Sequence, residues 1–323
     1  MKRGAIDSFF KPSTPKKPKY EVSTSTSNHP SYPFPIPHLP PSIAEQLGFA
    51  PAEEGQTIND QRDLDLIYYQ PYIPSSIAPD LFDFLRKELF FQRVVYNIKR
   101  GDITTTIHTP RFTTVFGVDS TSLFTSPTPD GDGVATLVDA QTNKPIERTR
   151  YKCTPRPLPQ CLDTLRKLTQ GTTGETFNFC LVNYYADGND SISYHSDDER
   201  FLGANPAIAS FSLGARRDFL MKHKPVVAPT PKDREGEEFK VVKLGLGSGD
   251  MVLMRGATQA NWLHSVPKRK GEAAGRGRIN VTFRRALVRE GTENYYRYNV
   301  GDGGVFRWDE GEGRMVDWKG GRE

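Results

Sequence analysis

Apolar and polar positions divide the chain into a polar start, two helical stretches and a long series of short strands. Residues 1–60 are rich in Pro, Ser and Thr and contain few apolar side chains, which predicts a disordered N-terminal tail. Leucine and phenylalanine recur at helical spacing over 77–91 and again over 158–168, so a helix is predicted in each. We expect the folded domain to span 61–290, and the pattern leaves open whether the extension 291–323 is ordered.

After Glu175 the pattern changes to short apolar or alternating stretches that Gly, Pro and Asp clusters separate. Strands are predicted at 176–183, 208–213, 217–222, 239–243, 249–254 and 278–285. Consecutive strands without intervening helices are typical of a double-sheet jelly roll, and the two early helices would pack on one side of it. The predicted fold class is therefore mainly β with flanking helices.

Length and composition indicate one large domain with tails, because 323 residues exceed what a small stapled fold needs. The three cysteines form no Cys-x-x-Cys pair, which favours a reducing compartment over a disulfide framework or a zinc ribbon. No apolar run is long enough to cross a membrane, so we expect no membrane association. We also expect the protein to be a monomer. The net charge is +4, and basic residues gather at 268–270 and 276–289; this patch suits phosphate contact, although a solvated surface explains it equally well.

The candidate chemistry lies in three short motifs. His195-Ser196-Asp197 is followed about seventy residues later by His264, and two histidines with one carboxylate are the ligand set of the facial triad that holds non-haem Fe(II). Arg278 and Arg284 follow on a strand-like run, where a guanidinium fork can grip a dicarboxylate. A bare His-x-Asp is also typical of ordinary surface residues. The three motifs in this order favour the metal site.

The sequence around these motifs closely resembles the AlkB family of Fe(II)/2-oxoglutarate dioxygenases, and within it the nuclear members that repair alkylated DNA. The runs that carry the resemblance are 177–185, 195–199 and 206–219, and the likeness extends less strongly back to about Asp63 and on to about Arg285. It implies a double-stranded β-helix, with Fe(II), 2-oxoglutarate and O2 as the reacting partners. It is absent at both ends of the chain.

The resemblance also implies roles for individual residues. His195, Asp197 and His264 would bind the metal, and we expect His264 to come from a strand of the sheet opposite to that of His195. The residues that match the family's 2-oxoglutarate positions are Asn183, Tyr185, Arg278, Thr282 and Arg284.

On the substrate side, the resemblance implies that a carboxylate next to the metal ligands contacts the base. Asp198 matches this position and Glu199 is a second candidate, and the sequence does not rank the two. A carboxylate there accepts a hydrogen bond from the exocyclic amine of a base. Phe116 and Gly117 resemble the family's segment that lines the base pocket.

A second expected substrate contact is the finger hairpin, whose apolar tip fills the gap that a flipped base leaves in duplex DNA. Tyr96 or Ile98 would form the tip, and a core strand is an equally good interpretation of these residues.

The activity that the resemblance implies is oxidative demethylation of N-alkylated bases in DNA, such as 1-methyladenine and 3-methylcytosine, with release of succinate, CO2 and formaldehyde. We therefore expect alkylated DNA as the substrate and the nucleus as the location. Two alternatives stay open: the same chemistry on RNA or protein, and a non-catalytic clamp- or DNA-binding module.

The N-terminus adds one further motif. The segment 3–10 resembles the box by which replication and repair proteins bind the sliding clamp PCNA, with Ile6 followed three and four positions later by Phe9 and Phe10. A basic stretch at 11–19 follows it. The family's box usually begins with Gln, where this chain has Arg3, and a chance apolar patch is the alternative. Ile6, Phe9 and Phe10 are thus predicted to bind a partner.

Overall fold

Antiparallel β-strands make up most of the structure, a computed structural model that describes residues 23–125, 134–225, 239–271, 275–301 and 303–320. The strands are β1 (Thr26–Ser27), β2 (Ile36–Pro37), β3 (Gln56–Ile58), β4 (Leu66–Tyr69), β5 (Phe91–Gln92), β6 (Val95–Arg100), β7 (Ile103–His108), β8 (Phe112–Gly117), β9 (Ser122–Phe124), β10 (Leu137–Asp139), β11 (Phe179–Tyr185), β12 (Ile192–His195), β13 (Ile208–Gly214), β14 (Arg217–His223), β15 (Val242–Leu246), β16 (Met251–Met254), β17 (Trp262–Val266), β18 (Arg278–Arg284), β19 (Val305–Asp309) and β20 (Arg314–Asp317). The α-helices are α1 (Pro41–Leu47), α2 (Ala78–Glu88), α3 (Gln160–Thr173), α4 (Thr258–Asn261) and α5 (Arg289–Asn299).

Two of the sheets form the body of the protein. The larger has the strand order β20-β19-β5-β8-β11-β18-β13-β16-β4-β3, and the smaller has the order β12-β17-β14-β15. Side chains from both sheets share one buried cluster, in which Ile208 and Val252 of the larger sheet meet Phe219 and Trp262 of the smaller. Two packed antiparallel sheets with helices outside them confirm the predicted jelly-roll fold class.

The central strand β18 shows how the sequence separates a structural face from a chemical one. Ile279, Val281 and Phe283 join the main hydrophobic core with residues of α2 and α3. The polar residues between them point the other way, into the space between the sheets, because successive side chains of a strand alternate. The predicted helices are confirmed as α2 and α3, with ends shifted by a few residues.

The structure differs from the prediction that residues 1–60 form a disordered tail. Over the described part, 23–60, Ile36, Leu39, Ile43 and Leu47 are buried in the main core. The prolines of this segment suit extended backbone and the first turn of α1 rather than preventing order. A low average hydrophobicity therefore misled the prediction, because a few well-spaced apolar side chains are enough to attach a short segment to an existing core.

The described part of the C-terminal extension is also integral to the fold. Strand β19 pairs with β5 and so extends the larger sheet, and β20 pairs with β19. The Arg86 guanidinium lies over the Trp308 ring at 3.9 Å, which ties this hairpin to α2. None of the helices in the described ranges is long and apolar enough to span a membrane.

Candidate active site

A cavity of about 230 Å³ lies between the two sheets, and all of the predicted metal and co-substrate residues line it. The larger sheet contributes β11, β13 and β18, the smaller contributes β12 and β17, and α5 closes one side. The cavity is therefore where the interior faces of both sheets and one later helix meet.

The predicted metal ligands come together in this cavity. His195 ends β12, Asp197 follows two residues later, and His264 lies in β17; one ligand atom from each lies within 4.8 Å of the other two. The two imidazole ring centres are 4.2 Å apart. The prediction that His264 comes from the opposite sheet is wrong, because β12 and β17 are neighbours in the smaller sheet and pair with His195 opposite His264.

The electrostatics of the triad suit a divalent cation. Burial and the neighbouring His195 lower the pKa of His264 to about 3, so its imidazole is neutral and offers a lone pair. Burial alone would raise the pKa of Asp197, but the Arg284 guanidinium beside it outweighs burial, so that the pKa lies below the ordinary value and the group is ionised. The His195 Nδ1 lies 2.9 Å from the Ser193 carbonyl oxygen, which leaves its Nε2 for a metal. Two neutral nitrogens and one carboxylate are a donor set that fits Fe(II).

The co-substrate side of the cavity lies on β18. Arg278, Asn280, Thr282 and Arg284 all line the cavity, as the alternation of the strand predicts. Asn183 and Tyr185 of the neighbouring β11 line it too, so the structure brings all five predicted co-substrate residues to one wall.

Arg278 is the deepest cation of this wall, with 1% of its surface exposed. Its Nη2 donates to Ser212 Oγ at 2.7 Å, while Nε and Nη1 have no hydrogen-bond partner among the described residues. The Tyr185 ring centre lies 5.3 Å from the guanidinium. Burial lowers the pKa of Arg278 to about 10, so the side chain stays charged at neutral pH. Two unpaired donors on a buried cation are unfavourable unless a bound carboxylate accepts from them.

Arg284 has a different position, next to the metal ligands. Its Nη2 lies 2.9 Å from Asp197 Oδ2, and its guanidinium lies 5.1 Å from the Tyr295 ring centre. Burial would lower its pKa, but the Asp197 carboxylate outweighs burial and raises it. Arg284 therefore orients a predicted metal ligand. Thr282 lies between the two arginines on β18, and its hydroxyl donates to the Leu181 carbonyl oxygen at 3.0 Å.

The two candidate carboxylates for base recognition are separated by the structure. Glu199 lines the cavity. Asp198 is exposed and forms an ion pair with Lys224, whose Nζ lies 2.6 Å from Asp198 Oδ2. Glu199 is thus the carboxylate that can meet a ligand in the cavity.

Phe116 and Gly117 are not where a base pocket would need them, so this prediction is corrected. Phe116 is fully buried on the helix side of the larger sheet, with its ring centre 5.5 Å from that of Phe90. Gly117 has a positive φ of 104°, and a Cβ there would overlap the Asn178 carbonyl oxygen, so its role is close packing of β8 on β11. The alternation of β8 turns Val115 toward the cavity side instead.

The hairpin of β6 and β7 extends into solvent, which excludes the core-strand interpretation of this region. Ile103, next to the turn, has 70% of its surface exposed and Tyr96 has 48%, whereas Ile98 is only partly exposed. Ile103 was not considered in the sequence interpretation, although an apolar residue directly after a Gly-Asp turn is the signal that would have identified it.

The sequence interpretation also missed a wall of the cavity that comes from α5. The residues that line it there are Asn294, Tyr295, Tyr298 and Asn299. Their spacing indicates one face of a helix, but only the tertiary structure shows where that face lies. The predicted partner-binding residues Ile6, Phe9 and Phe10 lie outside the described residues.

Comparison with known proteins agrees with this geometry. Residues 109–284 match the family model described as the 2OG-Fe(II) oxygenase superfamily. "DNA oxidative demethylase ALKBH2" of Homo sapiens is 42% identical over 134 residues, which are 42% of this chain and 49% of the relative. "Alpha-ketoglutarate-dependent dioxygenase alkB homolog 3" of Rattus norvegicus is 43% identical over 144 residues, 43% of this chain and 46% of the relative.

Similarity extends to a plant relative and to a solved structure. "DNA oxidative demethylase ALKBH2" of Arabidopsis thaliana is 37% identical over 150 residues, 41% of this chain and 44% of the relative. The solved chain of "The structure of OsALKBH1" shares 16% identity at a TM-score of 0.41, over 72% of this chain and 99% of that chain. The chain spans about half the length of the curated relatives it matches.

The sequence similarities to ALKBH2 and to alkB homolog 3 confirm the predicted resemblance to the AlkB family. The family model covers more than half of the chain, and its range includes all three predicted metal ligands and the two cavity arginines of β18. Because the family model matches more than half of the chain, this chain belongs to the 2OG-Fe(II) oxygenase superfamily.

Proposed function

We propose that this protein is an Fe(II)- and 2-oxoglutarate-dependent dioxygenase that removes alkyl groups from the nitrogen atoms of DNA bases, with 1-methyladenine and 3-methylcytosine as substrates. The observation that carries the proposal is that one cavity contains both the His195–Asp197–His264 triad and the buried Arg278 guanidinium, two of whose nitrogens have no hydrogen-bond partner among the described residues. The printed names of two similar proteins, both DNA oxidative demethylases, support DNA as the substrate.

Each part of the cavity has a task in this reaction. When bound, Fe(II), 2-oxoglutarate and O2 together supply the oxidation of the alkyl carbon, which leaves as formaldehyde while 2-oxoglutarate becomes succinate and CO2. His195, Asp197 and His264 would hold the metal on one face and leave the other face open. Arg278 would grip the far carboxylate of 2-oxoglutarate, since its planar guanidinium still has two nitrogens, Nε and Nη1, without a hydrogen-bond partner among the described residues. Arg284 holds the Asp197 carboxylate in place.

The surroundings of the cavity suit a base that has left the stack. Glu199 at the cavity can accept a hydrogen bond from an exocyclic amine of the flipped base. The exposed Ile103 and Tyr96 of the hairpin can insert where that base stood, because an apolar wedge compensates for lost stacking. A methyl group on the Watson–Crick edge weakens pairing and so lowers the energy needed for flipping.

A panel assay tests this function against its alternatives. The full chain is incubated with Fe(II), 2-oxoglutarate and oligonucleotides that carry 1-methyladenine or 3-methylcytosine, as single-stranded DNA, double-stranded DNA or RNA. We expect formaldehyde and succinate in equal amounts with methylated DNA, none with the unmethylated control, and none after chelation until Fe(II) is restored. Turnover of methylated RNA alone would transfer the proposal to RNA, and the absence of turnover on every substrate would contradict it.

We propose in addition that Ile6, Phe9 and Phe10 bind PCNA and that the enzyme works in the nucleus. The support is the order of one aliphatic and two aromatic residues, followed by the basic stretch 11–19. Such a segment can fold into one helical turn on binding and insert its apolar side chains into a groove.

Calorimetry with a peptide of residues 1–20 tests this partner. We expect micromolar binding to PCNA, and no binding when Phe9→Ala and Phe10→Ala are combined. In the full chain, the same double variant should leave dealkylation of short oligonucleotides unchanged. If titration of the wild-type peptide into PCNA gave no heat change of either sign, this docking would be excluded.

A further inference from the structure

Helix α5 lies beyond the matched oxygenase range of 109–284 and still forms one wall of the cavity. Its cavity-facing residues are Asn294, Tyr295, Tyr298 and Asn299. They follow the helical spacing that places side chains on one face. Tyr295 also packs beneath the guanidinium of Arg284, so the helix touches the machinery of the site directly.

Buried contacts hold α5 in this place. Thr292 Oγ1 donates to Asp119 Oδ2 at 2.7 Å and accepts from the Asp119 backbone N–H at 3.0 Å. Tyr296 is buried and accepts from the Arg156 backbone N–H at 2.6 Å. A Cβ at Gly291 would overlap the Phe201 ring, so the first turn lies directly against a neighbouring side chain. The helix therefore presents its cavity face from a fixed position.

Tyr298 differs from the other two tyrosines of the helix. Tyr295 and Tyr296 are buried, whereas Tyr298 has 65% of its surface exposed at the rim of the cavity. The Arg297 guanidinium carbon lies 5.7 Å from the Tyr298 ring centre. An exposed aromatic ring next to an exposed cation is the combination by which proteins bind single-stranded nucleic acid, since a base stacks on the ring and a phosphate meets the cation.

The C-terminal end of α5 also adjoins the start of the β6–β7 hairpin. A Cβ at Gly301 would lie 3.5 Å from Val94 Cγ1, and Val94 directly precedes β6. The Thr113 hydroxyl donates to the Asn299 carbonyl oxygen, which links the helix end to β8. The end of α5 and the base of the hairpin thus lie next to each other at the edge of the cavity, which Asn299 and Arg111 line.

We propose that α5 is a second nucleotide-binding wall of the site: Tyr298 stacks on the base next to the one held in the cavity, and Arg297 contacts the adjoining phosphate. This inference rests on the proposed function in so far as it requires a nucleic acid at the cavity. It assigns to the C-terminal extension a part in substrate binding, separate from the part that the matched range performs.

The test uses the full chain with Fe(II) and 2-oxoglutarate, and compares Tyr298→Ala, Tyr298→Phe and the control Phe49→Ala. Phe49 is equally apolar and 78% exposed, but it does not line the cavity. Two quantities are measured: the Kd for an unmodified single-stranded oligonucleotide by fluorescence anisotropy, and the KM for 2-oxoglutarate. We expect Tyr298→Ala to raise the Kd about tenfold, and the KM for 2-oxoglutarate to stay unchanged.

The controls separate stacking from a structural effect. Tyr298→Phe keeps the ring and should bind like the wild type, as should Phe49→Ala. Arg297→Gln should make the plot of log binding constant against log salt concentration less steep, by about the slope that one phosphate contact contributes. The inference is overturned if Tyr298→Ala binds like the wild type, if Tyr298→Phe is as damaging as Tyr298→Ala, or if the KM for 2-oxoglutarate rises in parallel.

The binding measurement keeps this test separate from that of the proposed function. If the wild type binds the oligonucleotide but releases no formaldehyde from methylated DNA, the proposed function fails, and the Kd of Tyr298→Ala still decides the role of α5. If formaldehyde is released and the Kd is insensitive to Tyr298, the proposed function stands and the second wall is excluded.

Discussion

The interior of the cavity is lined by buried polar side chains, whereas its rim exposes apolar and aromatic ones. Arg278, Asp197 and His264 are almost completely buried, and Ile103 and Tyr298 are largely exposed. This reverses the usual distribution of residue types between inside and outside. Both arrangements are unfavourable by themselves, because two nitrogens of the buried Arg278 have no hydrogen-bond partner among the described residues and an exposed ring meets water. This contrast is what the proposed function requires: a small dianion and a metal would bind inside, and bases would bind at the rim.

If the interior performs the chemistry, then loss of a metal ligand should have the largest effect. His264→Ala leaves the site one protein ligand short, so we expect turnover to be abolished at saturating Fe(II). The same holds for His195→Ala and Asp197→Ala. Formaldehyde release and calorimetric Fe(II) binding check this, with His38→Ala as a control outside the cavity. Full activity of any of the three triad variants would remove the assignment.

The next largest effect is expected at the far end of the interior. Arg278→Lys keeps the charge but cannot form a planar pair with a carboxylate, so the KM for 2-oxoglutarate should rise about 100-fold. A titration of 2-oxoglutarate at saturating oligonucleotide measures it. An unchanged KM would mean that the free donors of Arg278 face no carboxylate.

Arg284→Lys and Arg285→Lys form a matched pair that tests the register of β18. Arg284 is buried against Asp197, while Arg285 is exposed on the other side of the strand. We therefore expect Arg284→Lys to raise the 2-oxoglutarate requirement sharply and to weaken Fe(II) binding, and Arg285→Lys to change little. If Arg285→Lys were the damaging change, the register of the strand would be off by one residue.

At the border between interior and rim, Glu199→Ala and Asp198→Ala should separate the two carboxylates. Glu199 lines the cavity, and Asp198 is engaged with Lys224. Loss of one hydrogen bond to the base should lower kcat/KM for a methylated oligonucleotide about tenfold in Glu199→Ala. Asp198→Ala should lower kcat/KM less than Glu199→Ala does. If Asp198→Ala were the more damaging change, Asp198 would be the carboxylate that contacts the base.

The smallest effect is expected at the hairpin of the rim. Ile103→Ala should lower activity several-fold on methylated double-stranded DNA and leave single-stranded DNA unaffected, because only the duplex has a gap to fill. Val95→Ala, an exposed apolar change at the base of the same hairpin, is the control. Equal losses on both kinds of DNA would show that Ile103 has no role as a wedge.

The parts of the site that sequence predicted are those whose geometry is local. His195 and Asp197 are two residues apart, and Arg278, Thr282 and Arg284 alternate along one strand, so their common direction follows from the pleat itself. Helical spacing likewise predicted α2 and α3, and apolar or alternating stretches predicted six strands of the two sheets, β11, β13, β14, β15, β16 and β18, because both periodicities are read within a few turns or residues.

The errors concern pairs that are distant in the chain. His264 was assigned to the wrong sheet because strand neighbours depend on the order of β12 and β17, which no local pattern encodes. Phe116 faces the helices because the pairing of β8 with β11 sets which of two successive residues points inward. Local composition likewise gave no indication that residues 23–60 would cover the core.

By itself, the sequence therefore determined the chemistry of this protein: which residue types can hold Fe(II) and a dicarboxylate, and that they share strand faces. Tertiary structure alone decided what surrounds that chemistry, namely the position of Glu199 rather than Asp198 at the cavity, the exposure of Ile103 and the wall formed by α5. The physical reason is that alternation and helical spacing orient side chains over a few residues. The docking of a strand or helix instead depends on the summed burial and hydrogen bonds of partners that are up to two hundred residues apart.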